Sequence, residues 1–283
     1  MLISAKLAPT FAYSDLERFW RLADELGFYG VWNYDHFYGP DAVGTIARDF
    51  RKDTFESWTT LAAMALVVTR ARIGCMVTGV TYRNPAVLAK MAVTVDHISG
   101  GRLEFGLGAA WHEAEHRGYG IPFPRAGVRV AMLDEALRVI KALWTEDSAS
   151  FDGKYFRLDQ AIGNPKPVQK PYPPIIVAGQ GEKSLRIVAT HADEWNATGS
   201  GPADWSRLND RLNDHCDAIG RGPATIRRGA QLLLNPAQEN EMQKLLDTLP
   251  AFEAAGCQHA VLNFYQPPTE DQLRRVAGNA IGG

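Results

Sequence analysis

Three cysteines among 283 residues, at positions 75, 216 and 257 and without any C-x-x-C pair, exclude a disulfide framework and a thiolate metal site. Positive charge is not in excess either: 30 Lys and Arg stand against 32 Asp and Glu, a formal charge of −2, and the basic residues are scattered. A chain so balanced offers no stripe on which to hold a phosphate backbone, so no nucleic acid partner is expected. The start, MLISAKLAPTFAYSD, lacks the basic residues, apolar run and small-residue cleavage site of a secretory signal, and no run of the sequence is apolar for long enough to span a bilayer. The expectation is a cytoplasmic protein with no membrane partner. Hydrophobic residues at 46% and charged residues at 22% are ordinary for a packed globular chain, so disorder and fibrous repeats are excluded too.

Periodicity organises the rest. LISAKL alternates as a strand, and SDLERFWRLADELG follows as a helix, with Ser14 and Glu17 at capping-box spacing and Gly27 as the stop. FYGVWN reads as a second strand, an irregular segment runs from Tyr34 to Phe55, and ESWTTLAAMALVV reads as a helix. The short apolar strand ARIGCMV leads through TGVTYR to a helix announced by Asn84 and Pro85 and closed by Gly100 and Gly101. RLEFGLG is a fourth strand and VRVAMLDEALRVIKALW the next helix, after which SASFDGKYFRLD has the form of a hairpin turning at Asp152 and Gly153. The proline-rich NPKPVQKPYPP reads as a surface connection into the strand IIVAGQ and the helix EKSLRIVATHA. DEWNATG, IRRGAQLLLN and QHAVLNFY supply the remaining strands, with helices near 203–219, 240–255 and 269–277.

About eight alternations of short apolar strand and helix predict one (β/α)8 TIM barrel across residues 1–283, with insertion segments on the carboxyl-end face, in preference to an open doubly wound sheet. In such a barrel the chemistry sits just beyond the carboxyl end of each strand, and four places there carry suitable residues. After the fourth strand, His112, Glu113 and His116 match the H-E-x-x-H spacing of a zinc hydrolase, with Glu135 a distant third ligand. Glycines before and after that motif limit any helix to about two turns, and the plainer reading of His116 is a solvated loop histidine. Gly106 and Gly108 would let a flat ring or a phosphate approach the backbone, with Trp111 and His112 as walls, or they are simply turn glycines. In AGQGEKS, Gly179, Gly181 and Ser184 approximate a dinucleotide fingerprint opening a helix, which favours an anion without requiring Rossmann topology. In NYDHF, Asp35 and His36 stand at the mouth, where only one of two neighbours normally faces the cavity and imidazole suits proton transfer. Cys75 reads as a core thiol, and Trp32, Trp58 and Trp144 as core indoles.

Taken in order, VWNYDHF, CMVTGVTYRNPAVLAKMAVTVDHISGGRLEFGLGAAWHEAEHRGYGIPFP and PPIIVAGQGEKSLRIVATHADEWN closely resemble the luciferase-like oxidoreductases, in the branch that uses the deazaflavin coenzyme F420. The resemblance runs from about Leu2 to Asn196. It implies a barrel that holds the deazaflavin ring at the strand carboxyl ends, a small-molecule substrate and a homodimer. It also implies a non-prolyl cis peptide between Cys75 and Met76 with Val77 and Thr78 lining the site, Asp35 and His36 near the ring, Gly108, Ala109 and His112 along the fourth-strand loop, and the coenzyme phosphate by Ala178, Gly179, Gln180 and Gly181. Relatives that oxidise sugar phosphates carry a glutamate where this chain has Ala109. The proton carrier that the resemblance leaves is then His36, assisted by His112 or Glu113. The expected reaction is hydride transfer between F420 and an imine, an activated C=C bond or an alcohol, with an FMN-dependent monooxygenase as the alternative and a zinc hydrolase as the remote one.

Overall fold

The computed structural model describes residues 1–39 and 53–281, and strand and helix alternate throughout. Strand β1 (Leu2–Leu7) leads to helix α1 (Tyr13–Glu25), β2 (Gly30–Asn33) to α2 (Ser57–Val67), and β3 (Arg72–Gly79) to α3 (Pro85–Ile98). After β4 (Leu103–Gly108) come a short α4 (Glu113–Gly118) and the long α5 (Ala126–Thr145), then the antiparallel pair β5 (Ala149–Asp152) and β6 (Arg157–Ala161). The series ends with β7 (Ile175–Ala178), α6 (Glu182–His191), β8 (Glu194–Thr198), α7 (Pro202–Ala218), β9 (Arg227–Leu234), α8 (Glu239–Leu246), α9 (Leu249–Ala254), β10 (His259–Phe264) and α10 (Glu270–Ala280). Eight strands close in the order β1-β10-β9-β8-β7-β4-β3-β2, every pairing parallel, and the β5–β6 hairpin stands apart. This is the (β/α)8 barrel. Most of the irregular segment expected after the second strand, residues 40–52, lies outside the described residues.

Local chemistry sets most of the boundaries. The Asn84 side chain accepts from Ala86 N, Pro85 opens α3, and Gly100 and Gly101 leave it at positive φ. The Glu56 carboxylate caps α2 through Trp58 N and Thr59 N. Two expectations fail. The Ser14–Glu17 capping box does not form, because α1 starts earlier, after Ala12, and Ser14 already lies inside its first turn. The single helix expected over 240–255 is split into α8 and α9, since Pro250 supplies no N–H and its ring crowds the preceding turn.

The barrel interior is filled in layers. At the amino ends of the strands lies a charged layer: Glu104 accepts from Tyr29 Oη at 2.5 Å and from Arg227 at 2.6 Å, while Glu194 receives Arg227 and, at 2.8 Å, His259. Both carboxylates are buried. Burial pushes the Glu194 carboxyl up, but His259 and Arg227 together hold it below the usual range. Above them Trp32, Met76, Ile176 and Val261 form an apolar plug. The indole of Trp32 occupies the axis, and small neighbours make room for it: a Cβ on Gly74 would lie 2.2 Å from its Cζ3. Above the plug the barrel opens.

Gly74→Ala is therefore expected to destabilise the fold by about 1–3 kcal/mol. Urea unfolding should show a lower midpoint at unchanged slope; a midpoint equal to that of the parent protein would mean that Trp32 is not packed against this position.

Candidate active site

A cavity of about 640 Å³ opens at the carboxyl ends of the strands, walled by residues from seven of them and from the segment just after β2. That volume is within the ordinary range for a small-molecule site. Its most unusual wall is β3. The β3–β4 register shifts between Cys75 and Thr78, and the peptide bond between Met76 and Val77 is cis. The cis bond thus falls one residue later than the Cys75–Met76 position expected. Met76 faces the plug and the cavity floor, Val77 and Thr78 line the wall, and Cys75 stays outside the lining, its thiol pushed up to about 12 by burial and by the charge of Asp35. Ser57 Oγ donates to its sulfur, which fits the core role expected of Cys75.

The glycines of β4 answer to this bulge. A Cβ on Gly106 would lie 2.2 Å from the Cys75 carbonyl oxygen, and one on Gly108 would lie 2.9 Å from Val77 Cγ2. They are small because a neighbouring strand bulges toward them, a requirement distinct from the approach of a ligand. Gly108 and Ala109 line the cavity, and Ala110 turns the chain away at φ 58, in the left-handed region that costs a non-glycine residue roughly 1 kcal/mol.

Asp35 and His36 both line the cavity, although neighbours on a strand are expected to diverge. The loop between β3 and α3 makes this possible. Arg83 grips the Asp35 carboxylate with two N–H groups, at 2.5 and 3.0 Å, and also binds Glu56. Burial pushes the Asp35 carboxyl above the usual range, and Arg83 offsets only part of that. Next to Arg83, Tyr82 donates from its hydroxyl to Glu115 at 2.5 Å. Glu115 is fully buried, and it also accepts from Phe37 N at 2.9 Å, Tyr38 N at 3.0 Å and His36 Nδ1 at 2.9 Å. Burial pushes this carboxyl up, but His36 foremost, with Tyr82 and the backbone donors, holds it below the usual range. An ionised Glu115 fixes the proton of His36 on Nδ1. Nε2 is then the nitrogen left to take or give a proton in the cavity.

Glu115 is a partner of His36 that sequence spacing does not reveal. His112 and Glu113 were expected to assist, yet His112 stands outside the cavity lining and caps α4 by accepting from Glu115 N at 3.2 Å. The hydrogen bond to His36 comes from Glu115, two residues beyond Glu113. The loop histidine expected at 116 is instead fully buried, with Nδ1 donating to the His112 carbonyl at 2.8 Å and Nε2 accepting from Thr81 Oγ1 at 2.6 Å. With both ring nitrogens engaged it has no lone pair for a metal. Glu135, the distant third candidate, accepts from the backbone N–H groups of Lys154, Tyr155 and Phe156 in the hairpin.

On the far side, Ala178, Gly179 and Gln180 line the cavity together with Ser184 in the first turn of α6. Gly179 is small because a Cβ there would meet Ser184 Cβ at 2.5 Å, and Gln180 Nε2 donates to the Thr198 carbonyl at 2.7 Å. Gly181 is the N-cap residue of α6; it provides no side-chain cap, has open space around its Cβ position, and stands just outside the lining. The first turn of α6 reaches the cavity at Ser184 and has no side-chain cap, an arrangement that suits an anion. An apolar bulge, a chamber of small-molecule size and an uncapped helix start fit a flat redox ring with a phosphate tail.

The luciferase-like monooxygenase family profile matches residues 3–279. An uncharacterized protein of Mycobacterium tuberculosis is 32% identical over 188 residues, 63% of this chain and 65% of that protein. The phthiodiolone/phenolphthiodiolone dimycocerosates ketoreductase of the same organism is 31% identical over 240 residues, 80% of this chain and 61% of the ketoreductase. The matched segments therefore span less than two thirds of these relatives. Among solved structures, an F420-dependent secondary alcohol dehydrogenase in complex with an F420-acetone adduct superposes with a TM-score of 0.84 at 18% identity, covering 99% of both chains. An EDTA monooxygenase from Chelativorans sp. BNC1 superposes at 0.78 with 12% identity, covering 100% of this chain and 92% of that one. At such identities the structural likeness speaks for the barrel alone, whereas the profile match over nearly the whole length decides the family: the chain belongs to the luciferase-like monooxygenases.

Proposed function

We propose that this protein is an oxidoreductase that transfers a hydride between coenzyme F420 and a small organic substrate (an imine, an activated C=C bond or an alcohol), with His36 moving the accompanying proton. The observation that carries the reading is His36 in the cavity wall with Nδ1 tied to the buried Glu115 carboxylate, just beyond β2, the strand that pairs with the bulged β3. Bound F420 supplies a ring carbon that gives or accepts a hydride, and the rest is left to the protein. Met76 and Val77 offer an apolar backing, Gly179 and Gln180 with the first turn of α6 hold the phosphate end, and Asp35 is kept in place by Arg83. His36 Nε2 takes the hydroxyl proton when an alcohol is oxidised, or returns it in reduction, while Glu115 balances the imidazolium.

The rival is an FMN-dependent monooxygenase, a reading supported by the family match, whose description is luciferase-like monooxygenase. The two are separated by titrating the purified protein with each coenzyme and following absorbance: F420 binding, and consumption of its reduced form with an imine, enone or ketone, is expected. Tight FMN binding with no affinity for F420 would overturn the assignment.

His36→Asn should slow turnover by about 10²–10⁴-fold while coenzyme affinity stays the same. Glu115→Gln should slow it by at least about tenfold, because the imidazolium loses its counter-charge. Stopped-flow reduction of the bound coenzyme checks both, and unchanged rates would remove the pair from the mechanism. Two copies of the chain are further proposed to associate, as the family resemblance implies. Sedimentation velocity should report twice the 31.2 kDa chain mass, and a monomer at micromolar concentration would contradict the pairing.

A further inference from the structure

The floor of the cavity is short of acceptors. Lys6, on β1, is buried beneath the opening, where its ammonium donates to the Met76 carbonyl at 2.6 Å and to Gln231 Oε1 at 2.8 Å. An ammonium has three donors, and among the described residues the third has no acceptor and no carboxylate partner. The contact with Gln231 also orients the neighbouring amides. With Oε1 turned to Lys6, Gln231 Nε2 must point the other way, where it donates to Asn196 Oδ1 at 2.9 Å and to Thr198 Oγ1 at 3.0 Å. Asn196 has then committed its oxygen. Its Nδ2 has no partner among the described residues, and neither has the hydroxyl of Tyr34, whose ring lies 5.7 Å from Lys6 Nζ. Lys6, Tyr34 and Asn196 all line the cavity.

Reversing the amides would not cure the shortage, since Gln231 would then present its NH2 to an ammonium. Each amide oxygen of the pair already has a donor, and the unpartnered atoms left over are nitrogen donors and a phenol. Burial pushes the phenol of Tyr34 up, so it keeps its proton at neutral pH. Burial likewise pushes the Lys6 ammonium down, to about 8, against the opposing influence of Cys75. Buried donors without acceptors are costly, and a ligand oxygen is what removes the cost.

We propose that this floor is an oxyanion subsite: Lys6, Tyr34 and Asn196 together take a negatively charged conjugated oxygen, the carboxylate or enolate of an acidic organic substrate. The same chemistry is available from the carbonyl edge of the bound redox ring. The inference rests on reading this cavity as the reaction chamber, but its first test uses coenzyme-free protein, so that failure of the F420 assignment leaves it standing.

Calorimetric titration of the coenzyme-free protein with benzoate and with benzamide, equal in shape and different in charge, should show benzoate binding at least about tenfold more tightly. Lys6→Met should abolish that preference. Tyr34→Phe, which keeps the shape of the side chain, should weaken benzoate by several-fold and leave benzamide alone, and it serves if Lys6→Met does not fold. The titration is then repeated with F420 saturating. Benzoate that still binds assigns the floor to the substrate; benzoate that is displaced assigns it to the coenzyme's own oxygens, and Lys6→Met then weakens F420. Equal affinity for benzoate and benzamide in the parent protein, or a preference untouched by both substitutions, overturns the proposal. So does an absence of benzoate binding combined with unchanged F420 affinity in Lys6→Met.

Discussion

Eight short parallel strands closed into a cylinder enclose a space that must be filled, and here a single indole on the axis divides it. Trp32 fits because Gly30 and Gly74 beside it have no side chain: a Cβ would come within 2.8 and 2.2 Å of its ring. The division keeps two incompatible polar systems apart. Below the indole, Glu104, Glu194, Arg227 and His259 form a network in which each charge has a partner, as burial demands. Above it, Lys6, Gln231 and Asn196 border the chamber as buried residues, and their polar groups do not all find partners among the described residues. A buried charge without a counter-charge is costly unless a ligand or water completes its partners, so the position of the plug decides where binding can occur.

The second organising contact is the buried carboxylate of Glu115. It gathers donors from the loop after β2 and from the segment after β3, and its own helix is only six residues long. Thr81, Tyr82 and Arg83 are consecutive, and they hold His116, Glu115 and Asp35 respectively. One short loop thus fixes the histidine of the H-E-x-x-H letters, the carboxylate behind His36 and the acid at the mouth. The letters that suggest a zinc site are put to a different use: His112 caps the helix, His116 is locked in hydrogen bonds, and the fourth residue of the motif orients a proton carrier in another loop.

The alternation of strands and helices is legible because its signals are local: Asn84 and Pro85 at the start of α3, Gly27 after α1, and Asp152 closing β5 with Gly153 beyond it in the turn. Ser14 misled because capping depends on where the chain enters the helix, which β1 and its loop decide. The pairing of His36 with Glu115 spans 79 positions and depends on two loops meeting, which no spacing rule reports. The cis bond is displaced by one residue because the resemblance aligned the bulge but not its register. Lys6 has a signal of its own in the sequence. In LISAKL, Ser4 and Lys6 are the polar residues of an alternating strand, and in a closed barrel that face is the interior.

The central claim is that the chamber above Trp32, walled by the β3 bulge, the end of β4 and the start of α6, receives a redox coenzyme. Hydrogen–deuterium exchange of the protein with and without oxidised F420 tests it most directly. The account predicts slowed exchange in peptides covering 76–80, 108–111 and 178–184, with the outlying hairpin over 149–161 unchanged. Exchange unaltered in all three wall segments, or protection confined to some other face, would contradict it.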